Sequence, residues 1–305
     1  MAGPSSARLL HGAPIAADIR ASVRDDVASF KRRHGHAPRI AVVIVGRDAP
    51  SIVYLEQILR SCRNVGVSGE LVEIPGRVST AALRERIRRL NDDPLVHGII
   101  VQMPLPKRIP LSAVLDTLDP DKDIDGIHPL NAGLMTQGYD GFLPTTAHAA
   151  VEILKRSDIP IAGRRAVVIG RSNVVGKPAA VLLLREHATV TICHSRTQDL
   201  AAVTRSAEIV VVAAGKPGLV TGDMLKRGAV VVDIGINVVG GRIVGDVDME
   251  SARPVASAIT PVPGGVGPVT NALLLTHLLR AAQQQAGSAR RGGAPAPLRS
   301  VGASQ

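Results

Sequence analysis

The sequence has 305 residues, of which 45% are hydrophobic and 20% charged, and its formal net charge is +10. This length is sufficient for two domains with well-buried cores. Only 1% of the residues are aromatic and none is tryptophan, and the basic residues are scattered along the chain, so we expect no nucleic-acid partner. Because no apolar run reaches about 18 residues, we expect no membrane partner either.

The two cysteines, Cys62 and Cys193, lie far apart and form no CxxC motif. This usage is typical of reduced, buried thiols in a cytoplasmic protein. The N-terminus shows no convincing signal peptide, since its apolar core at Leu9-Leu10 is too short. We therefore predict a cytoplasmic location, and we predict no metal site.

Apolar and polar segments alternate over the first 120 residues with the lengths of strands and helices, which predicts a parallel α/β domain. The glycine-rich stretch 119–143 is predicted to be a connection between domains and a wall of the site, and Ser51 a helix N-cap. The predicted strands span 40–45, 71–74 and 96–102, and the predicted helices span 15–30, 52–64, 80–90, 113–118 and 147–156.

The segment 163–197 predicts a strand, a glycine loop, a helix and a second strand. Residues 166–169 are an apolar β-branched run that stops at Gly170, and Gly176 and Pro178 follow where a helix would begin. Such a unit holds a dinucleotide pyrophosphate at a helix N-terminus. Because Ser172 stands where the middle glycine usually lies, the loop by itself leaves an ordinary turn and a nucleotide site about equally open.

The end of the second predicted strand favours NADP. It carries His194-Ser195-Arg196 in place of the carboxylate that NAD-binding units use for the ribose, and Arg171 adds a second cation. Ile236 follows the predicted strand 229–234, at a carboxyl end where ligands bind in such sheets. The predicted cofactor-binding residues are therefore Gly170, Arg171, Ser172, Gly176, Ser195, Arg196 and Ile236.

Seven motifs, in order along residues 10–283, resemble the methylenetetrahydrofolate dehydrogenase/methenyltetrahydrofolate cyclohydrolase family. They are VGRDAPSIVY at 45–54, VQMPLP at 101–106, DKDIDGIHPLN at 121–131, GRSNVVGKP at 170–178, CHSRT at 193–197, DIGIN at 233–237 and PVPGGVGPVT at 261–270. Together they are highly specific.

The resemblance implies a two-domain α/β fold, with an N-terminal parallel α/β domain facing folate, a Rossmann-type NADP-binding domain, and the active site in the cleft. It also implies tetrahydrofolate derivatives as substrates, NADP as cofactor and a homodimer. The expected division is a flexible N-terminus at 1–12, a folate domain at 13–146 joined by the last helix at 269–283, an NADP domain at 147–268 and a disordered tail at 284–305.

The same resemblance implies the folate-side residues. Tyr54 matches the family's folate-stacking tyrosine, Gln102 its active-site glutamine and Asp125 its pterin-binding aspartate, and these three are the expected catalytic residues. Pro263, Gly264 and Gly265 are expected to bind substrate with them. The alternatives are an aromatic on a helix core face for Tyr54, an Asx-turn for Asp125 and a simple turn for the glycine loop.

At one position the chain differs from the family in a way that bears on chemistry. The family has a lysine four residues after the tyrosine, and this chain has Ile58 there. Three hypotheses remain open: an NADP-dependent dehydrogenase with weak or absent cyclohydrolase activity, a fully bifunctional enzyme, and a non-catalytic folate- or nucleotide-binding paralogue.

Overall fold

A computed structural model describes residues 6–46 and 49–290 of the chain. The strands are Arg8–Leu9 (β1), Arg39–Val45 (β2), Ser68–Ile74 (β3), Gly98–Val101 (β4), Arg165–Ile169 (β5), Thr189–Cys193 (β6), Ile209–Val212 (β7), Val230–Asp233 (β8), Asn237–Val239 (β9), Arg242–Val244 (β10) and Ala258–Ile259 (β11). The helices are Gly12–His34 (α1), Ala49–Asn64 (α2), Thr80–Asp92 (α3), Ser112–Leu115 (α4), Pro129–Thr136 (α5), Thr145–Arg156 (α6), Gly176–Arg185 (α7), Leu200–Arg205 (α8), Met249–Ala252 (α9) and Val266–Arg290 (α10).

The chain forms two compact units, which confirms the predicted two-domain α/β class. Among the described residues, unit 1 combines those up to Ala17 with Pro144–Thr270, and unit 2 combines Asp18–Leu143 with those from Asn271 to the end of α10. Helices α1 and α10 each begin in unit 1 and end in unit 2. None of the helices in the described ranges is long and apolar enough to cross a membrane.

Unit 1 is built on a six-stranded parallel sheet in the order β1-β11-β8-β7-β5-β6. Strand β7 consists of isoleucine and valine, and β8 of three valines followed by Asp233; both are buried throughout, as expected of central strands covered on both faces. From β5 the chain passes to β6 on one side and then crosses back to β7 on the other. The strand order therefore reverses at β5, and the carboxyl end of this strand is the position at which open α/β sheets bind ligands.

Unit 2 contains a three-stranded parallel sheet in the order β3-β2-β4. The apolar run of β2 is almost entirely buried, and Leu83, Ile87 and Leu90 of α3 pack into the same core as Val43. These three helix residues recur at intervals of three and four, which places them on one face of α3. Because β2 and β4 are parallel, their carboxyl ends lie at the same edge of this sheet.

The structure differs from the predicted domain ends. Residues 6–12 were expected to be flexible, but β1 pairs with β11, and the N–H of Leu10 donates to the carbonyl of Ile259 at 2.9 Å. The tail was expected from residue 284, but α10 continues to Arg290. Local sequence gives no sign of β1, because this strand is stabilised by its partner β11. Residues 1–5 and 291–305 of these predictions lie outside the described residues.

One local prediction was also wrong, and one predicted connection contains a helix. Helix α2 begins at Ala49, so Ser51 lies within its first turn and does not cap it, while Arg47 and Asp48 lie outside the described residues. The glycine-rich stretch 119–143 contains the helix α5, which has Pro129 in its first turn. The His128 ring nitrogen accepts the N–H of Leu130 at its start.

Candidate functional site

The turn between β5 and α7 requires glycine at two positions. Gly170 has φ +127°, and a Cβ atom there would lie 2.1 Å from the carbonyl oxygen of Ala213. A Cβ atom on Gly176 would lie 2.2 Å from the carbonyl oxygen of Gly170. Both neighbours are backbone atoms that cannot rotate away. The end of β5 therefore approaches Ala213, and the first turn of α7 approaches the end of β5, as closely as the main chain permits.

Ser172 stabilises this turn from within. Its Oγ accepts the N–H groups of Val175 at 3.1 Å and Gly176 at 3.2 Å, and its carbonyl accepts the N–H of Lys177. A serine in place of the middle glycine therefore supplies an acceptor for amides that would otherwise lack one before α7.

A cavity of about 490 Å³ opens at the carboxyl ends of β5, β6 and β7. It lies where the strand order reverses, as the general rule for open α/β sheets predicts. It is lined by Ile169, Gly170, Arg171, Ser172, His194, Ser195, Thr197, Leu200, Ala213, Ala214, Lys216 and Leu219.

The charge of this cavity is positive. None of the described residues that line it is Asp or Glu, while Arg171 and Lys216 are basic side chains there. After β6 the chain forms a tight turn in which the N–H of His194 donates to Thr197 Oγ1 at 2.9 Å. This turn brings Ser195 to the cavity. The donor set and the glycine-only approach fit a phosphorylated dinucleotide and offer no carboxylate to repel a 2′-phosphate.

Four of the seven predicted cofactor residues line the cavity together, namely Gly170, Arg171, Ser172 and Ser195. Gly176 packs behind the loop against Gly170. Arg196 and Ile236 are exposed and do not line it.

Lys216 also lines the cavity, although it was not among the predicted residues. Lys216 follows β7, and β7 lies beside β5 in the sheet. The order of the strands cannot be deduced from local sequence.

On unit 2, Gln102 and Asp125 follow two neighbouring parallel segments. Ile99 of β4 forms a parallel bridge with Asp123, so the residues that follow each of them run toward the same edge. The N–H of Gln102 donates to the carbonyl of Val43 at 2.8 Å, and its Nε2 donates to the carbonyl of Met103 at 2.6 Å. The structure thus brings these two predicted residues to the carboxyl end of β4.

Buried polar groups hold the turn that carries Asp125. Lys122 donates to the carbonyls of Leu90, Asn91 and Asp93 at the end of α3, at 3.2, 2.5 and 2.8 Å. The Asp123 carboxylate accepts the N–H groups of Ile127 and His128 and the side chain of Asn131, although burial raises the pKa of this carboxyl.

Helix α10 supports the same turn from a distant part of the chain. The buried His277 ring places Nδ1 2.8 Å from the carbonyl oxygen of Ile124, so Nδ1–H donates to it. Asp125 itself is half-buried. These contacts fix the backbone on both sides of Asp125.

Ile58 lies on the buried face of α2. It is 2% exposed and shares that face with Leu55, Leu59 and Cys62, while Glu56 and Gln57 are exposed. Tyr54 belongs to the same helix, but its side chain lies outside the described residues. Position 58 therefore holds an enclosed apolar group that can neither donate nor accept a proton.

The remaining predicted residues, Pro263, Gly264 and Gly265, form the loop that leads into α10 and belong to unit 1. Gly264 has φ +108°, and its carbonyl accepts the N–H of Gly12 at 2.8 Å. A Cβ atom on Gly265 would lie 2.7 Å from the carbonyl oxygen of Pro261, so this loop requires glycine for structural reasons alone.

Two family profiles match the chain. The profile described as tetrahydrofolate dehydrogenase/cyclohydrolase, catalytic domain, matches residues 10–125. The profile described as tetrahydrofolate dehydrogenase/cyclohydrolase, NAD(P)-binding domain, matches residues 144–286, which include the cationic cavity.

Curated proteins and solved structures agree with these profiles. The chain is 51% identical to the bifunctional protein FolD of Roseiflexus sp. over 93% of this chain and 99% of that protein, and 50% identical to that of Moorella thermoacetica over 91% and 99%.

Two solved structures have the same fold. The bifunctional FolD of Campylobacter jejuni superposes with a TM-score of 0.89 at 39% identity, covering 92% of this chain and all of that one. The Trypanosoma brucei FolD, which was crystallised with NADP and an inhibitor, has a TM-score of 0.89 at 38% identity, covering 92% and 99%.

Proposed function

The chain belongs to the tetrahydrofolate dehydrogenase/cyclohydrolase family, and from that premise we propose its reaction. It oxidises methylene-tetrahydrofolate to methenyl-tetrahydrofolate with NADP, in one-carbon metabolism. The one-carbon bridge of the substrate loses a hydride and becomes a methenyl cation. When water adds to that cation and one carbon–nitrogen bond breaks, the product is formyl-tetrahydrofolate and a proton is released.

The observation that carries this proposal is the cationic cavity at the strand-order reversal of unit 1. NADP, when bound, supplies the acceptor for the hydride. Arg171 and Lys216 provide charge for its phosphates, Ser195 provides a hydroxyl, and the Gly170 turn lets the backbone approach the pyrophosphate. The absence of a carboxylate among the described lining residues favours NADP over NAD.

On the folate side, we assign Asp125 to the pterin edge, because a carboxylate can accept two hydrogen bonds from an aminopyrimidine. Gln102 stands beside it as a polar contact, and Tyr54 supplies an aromatic ring for stacking. Hydride transfer mainly requires that the reacting groups be held at short distance, so these three residues act by orienting the substrate. Pro263, Gly264 and Gly265 complete the proposed substrate contacts.

The cyclohydrolase step places a further demand on the protein, since water must lose a proton and a folate nitrogen must gain one. General acid–base assistance of this kind contributes about a hundred- to ten-thousand-fold in rate. Ile58 cannot supply it, because its buried side chain has no polar group. We therefore propose that the dehydrogenase is the stronger activity and that the cyclohydrolase is weak.

One assay separates the alternatives. The purified protein is mixed with methylene-tetrahydrofolate and NADP, and the reduced nicotinamide and the methenyl compound are followed by their absorbance. Reduction with accumulation of the methenyl compound supports the proposal, and reduction without accumulation identifies a fully bifunctional enzyme. No reduction, together with retained NADPH binding, identifies the non-catalytic paralogue. Equal turnover with NAD would contradict the NADP assignment.

We also propose that the protein is a cytoplasmic homodimer. Both cysteines are buried free thiols, which suits a reducing compartment, and burial raises the pKa of the Cys62 thiol to about 12, so that it is unreactive. The oligomeric state is measured by light scattering after gel filtration. A mass equal to one chain would exclude the dimer.

A further inference from the structure

Behind the cationic cavity of unit 1 lies a pair of buried aspartates that no step of the proposed reaction uses. Asp246 is 0% exposed and Asp233 is 2% exposed. Asp233 is the last residue of β8, and Asp246 lies in the segment that follows β10. A buried carboxylate is tolerated only when hydrogen bonds compensate for the lost water, so the partners of each oxygen indicate what the pair does.

The Asp246 carboxylate holds the segment that forms one side of the cavity. Its Oδ2 accepts the N–H groups of Ala214 at 2.6 Å and Gly215 at 2.8 Å, and its Oδ1 accepts Nδ2 of Asn237 at 2.8 Å. Ala214 and Lys216 line the cavity on either side of Gly215. The carboxylate therefore lies directly behind the loop that carries the cation Lys216.

Asp233 in turn fixes the backbone of Asp246. Its Oδ1 accepts the N–H groups of Gly235 at 2.9 Å and Asp246 at 3.1 Å, and its Oδ2 accepts that of Val247 at 2.9 Å. Burial raises the pKa of Asp233 to about 6, against the opposing effect of these three hydrogen bonds. Asp233 of β8 thus fixes the backbone of Asp246, and the Asp246 carboxylate in turn fixes the loop 214–216 beside the cavity.

Glycines enclose the pair so tightly that no larger residue would fit. A Cβ atom on Gly235 would lie 2.3 Å from Cγ of Asp246, and one on Gly245 would lie 1.9 Å from Oδ2 of Asp233. Two backbone hydrogen bonds also join the segment around Asp246 to Val220. The N–H of Val220 donates to the carbonyl of Asp246, and the N–H of Asp248 donates to the carbonyl of Val220. The segment after Gly215 is consequently held at its far end as well.

We propose that Asp246, supported by Asp233, is a positioning residue for the cofactor site: it fixes the 214–216 loop so that Lys216 faces the phosphates of NADP. This inference rests on the proposed NADP site. It assigns the pair no contact with the cofactor.

The hydrogen-bond inventory makes Asp246→Asn a sharp test. Three N–H groups point at the carboxylate, on both of its oxygens. An asparagine has one oxygen and one NH₂ group, so an uncharged amide oxygen replaces the charged acceptor of the loop amides, and Asn237 must turn its own amide oxygen towards the new NH₂ group. Simple electrostatics predicts the opposite outcome, because the substitution removes a negative charge near an anion site and would tighten binding.

The experiment measures NADPH binding by fluorescence titration in the absence of folate, together with thermal unfolding. We expect Asp246→Asn to weaken NADPH binding about tenfold, as for the loss of a charged hydrogen-bond acceptor. In a double-mutant cycle, Lys216→Met should weaken binding in the native protein and have little further effect in Asp246→Asn, because the misplaced lysine no longer contributes. Asn237→Ala leaves the carboxylate in place and should weaken binding by a smaller factor, so it tests the same loop if Asp246→Asn does not fold.

Asp123→Asn is the matched control. Asp123 is also 0% exposed and accepts two backbone N–H groups and an asparagine side chain, but it lies in unit 2. Its substitution should lower the unfolding temperature and leave NADPH affinity unchanged. Unchanged or tighter NADPH binding in folded Asp246→Asn, or additive effects in the cycle, would overturn the inference. Absence of NADPH binding in the native protein would instead contradict the proposed function.

Discussion

At the scale of single residues, position 58 bears most directly on chemistry. Ile58 is enclosed on the apolar face of α2, one helical turn from Tyr54. We expect Ile58→Lys to raise the rate of methenyl hydrolysis by about a hundredfold or more, since it introduces a group that can carry a proton. The rate is followed by loss of methenyl absorbance. Because a lysine in an apolar enclosure is unfavourable, the free energy of unfolding should fall at the same time.

Ile58→Met is the control for that substitution, because it keeps an apolar side chain of similar volume. It should leave both the hydrolysis rate and the dehydrogenase rate near those of the native protein. If the native protein already hydrolyses the methenyl compound at an enzyme-like rate, a group other than residue 58 assists that step.

A second single residue, His97, makes stability depend on pH. It is 3% exposed, and its Nδ1 accepts the N–H of Arg39 at 3.1 Å, which only a ring unprotonated at Nδ1 can do. Burial, followed by the neighbouring His36 and Lys122, lowers the pKa of His97 from 6.5 to about 4, against a smaller opposing effect of Asp93. His34 also lowers it.

Whether stability rises or falls with pH depends on which state of the chain binds the proton at His97. The unfolded chain takes up a proton at this residue below about pH 6.5, whereas the folded chain resists it until about pH 4, so the stabilisation present at neutral pH is lost as the pH falls between those values. The loss amounts to about 3 kcal/mol, at about 1.4 kcal/mol per pH unit. Urea unfolding at a series of pH values measures it. His97→Gln keeps an acceptor and cannot be protonated, so its profile should be flatter over this range.

Sequence was sufficient to group those proposed cofactor residues that local structure brings together. Gly170, Arg171, Ser172 and Ser195 all lie within one strand–loop–helix–strand unit, and the cavity contains all four. Lys216 and Asp246 could not be assigned in this way, because their roles depend on which strands are neighbours in the sheet. The contacts proposed for Tyr54, Gln102 and Asp125 remain predictions.

At the scale of elements, the connection from β5 to α7 decides whether a cofactor site exists. We expect Gly170→Ala to abolish measurable NADPH binding and to lower the unfolding temperature, because its methyl group would meet the Ala213 carbonyl and its φ of +127° is strained for alanine. Fluorescence titration and thermal unfolding measure the two effects.

Gly133→Ala provides the comparison. Gly133 lies within α5, has open space around its Cα and has no positive φ, so alanine should stabilise the protein by up to about 1 kcal/mol and leave NADPH binding unchanged. Normal NADPH affinity in Gly170→Ala would show that the turn can relax, and the close approach would then have no functional weight.

Elements that were predicted correctly share strong periodicity or a long apolar run, as in β2, α3, β5 and α7. Those that were missed are short or depend on a partner. β1 and β11 have two residues each, too few for any period, and they exist as strands because each is paired. The β9–β10 hairpin is largely exposed, so burial left no pattern in its sequence.

At the scale of the whole molecule, α10 completes unit 2. Leu278 packs so closely against β4 that a Cβ atom on Gly98 would lie 2.8 Å from it. The helix buries five leucines beyond Thr270, and burial of each contributes about 1.5–3 kcal/mol, a sum comparable with the entire stability of a domain. They are Leu273, Leu274, Leu275, Leu278 and Leu279.

We therefore expect a chain that stops at Thr270 to lose the fold of unit 2. Circular dichroism should show less helix than the lost residues account for, and the cooperative thermal transition of unit 2 should disappear. A chain that stops at Arg290 keeps every described element and should unfold like the full chain. A native-like transition in the shorter chain would contradict this role of α10.

The interleaved path of the chain has a consequence for synthesis on the ribosome. The first part of unit 2 is complete at Leu143, but its closing helix is translated only after the 127 residues of Pro144–Thr270. At about 5–20 residues per second, the core of unit 2 waits roughly 6 to 25 s for α10. β1 likewise waits for β11, its partner in the sheet. Domains usually fold in the order in which they emerge, whereas here both units are completed almost together, by the last segments of the nascent chain.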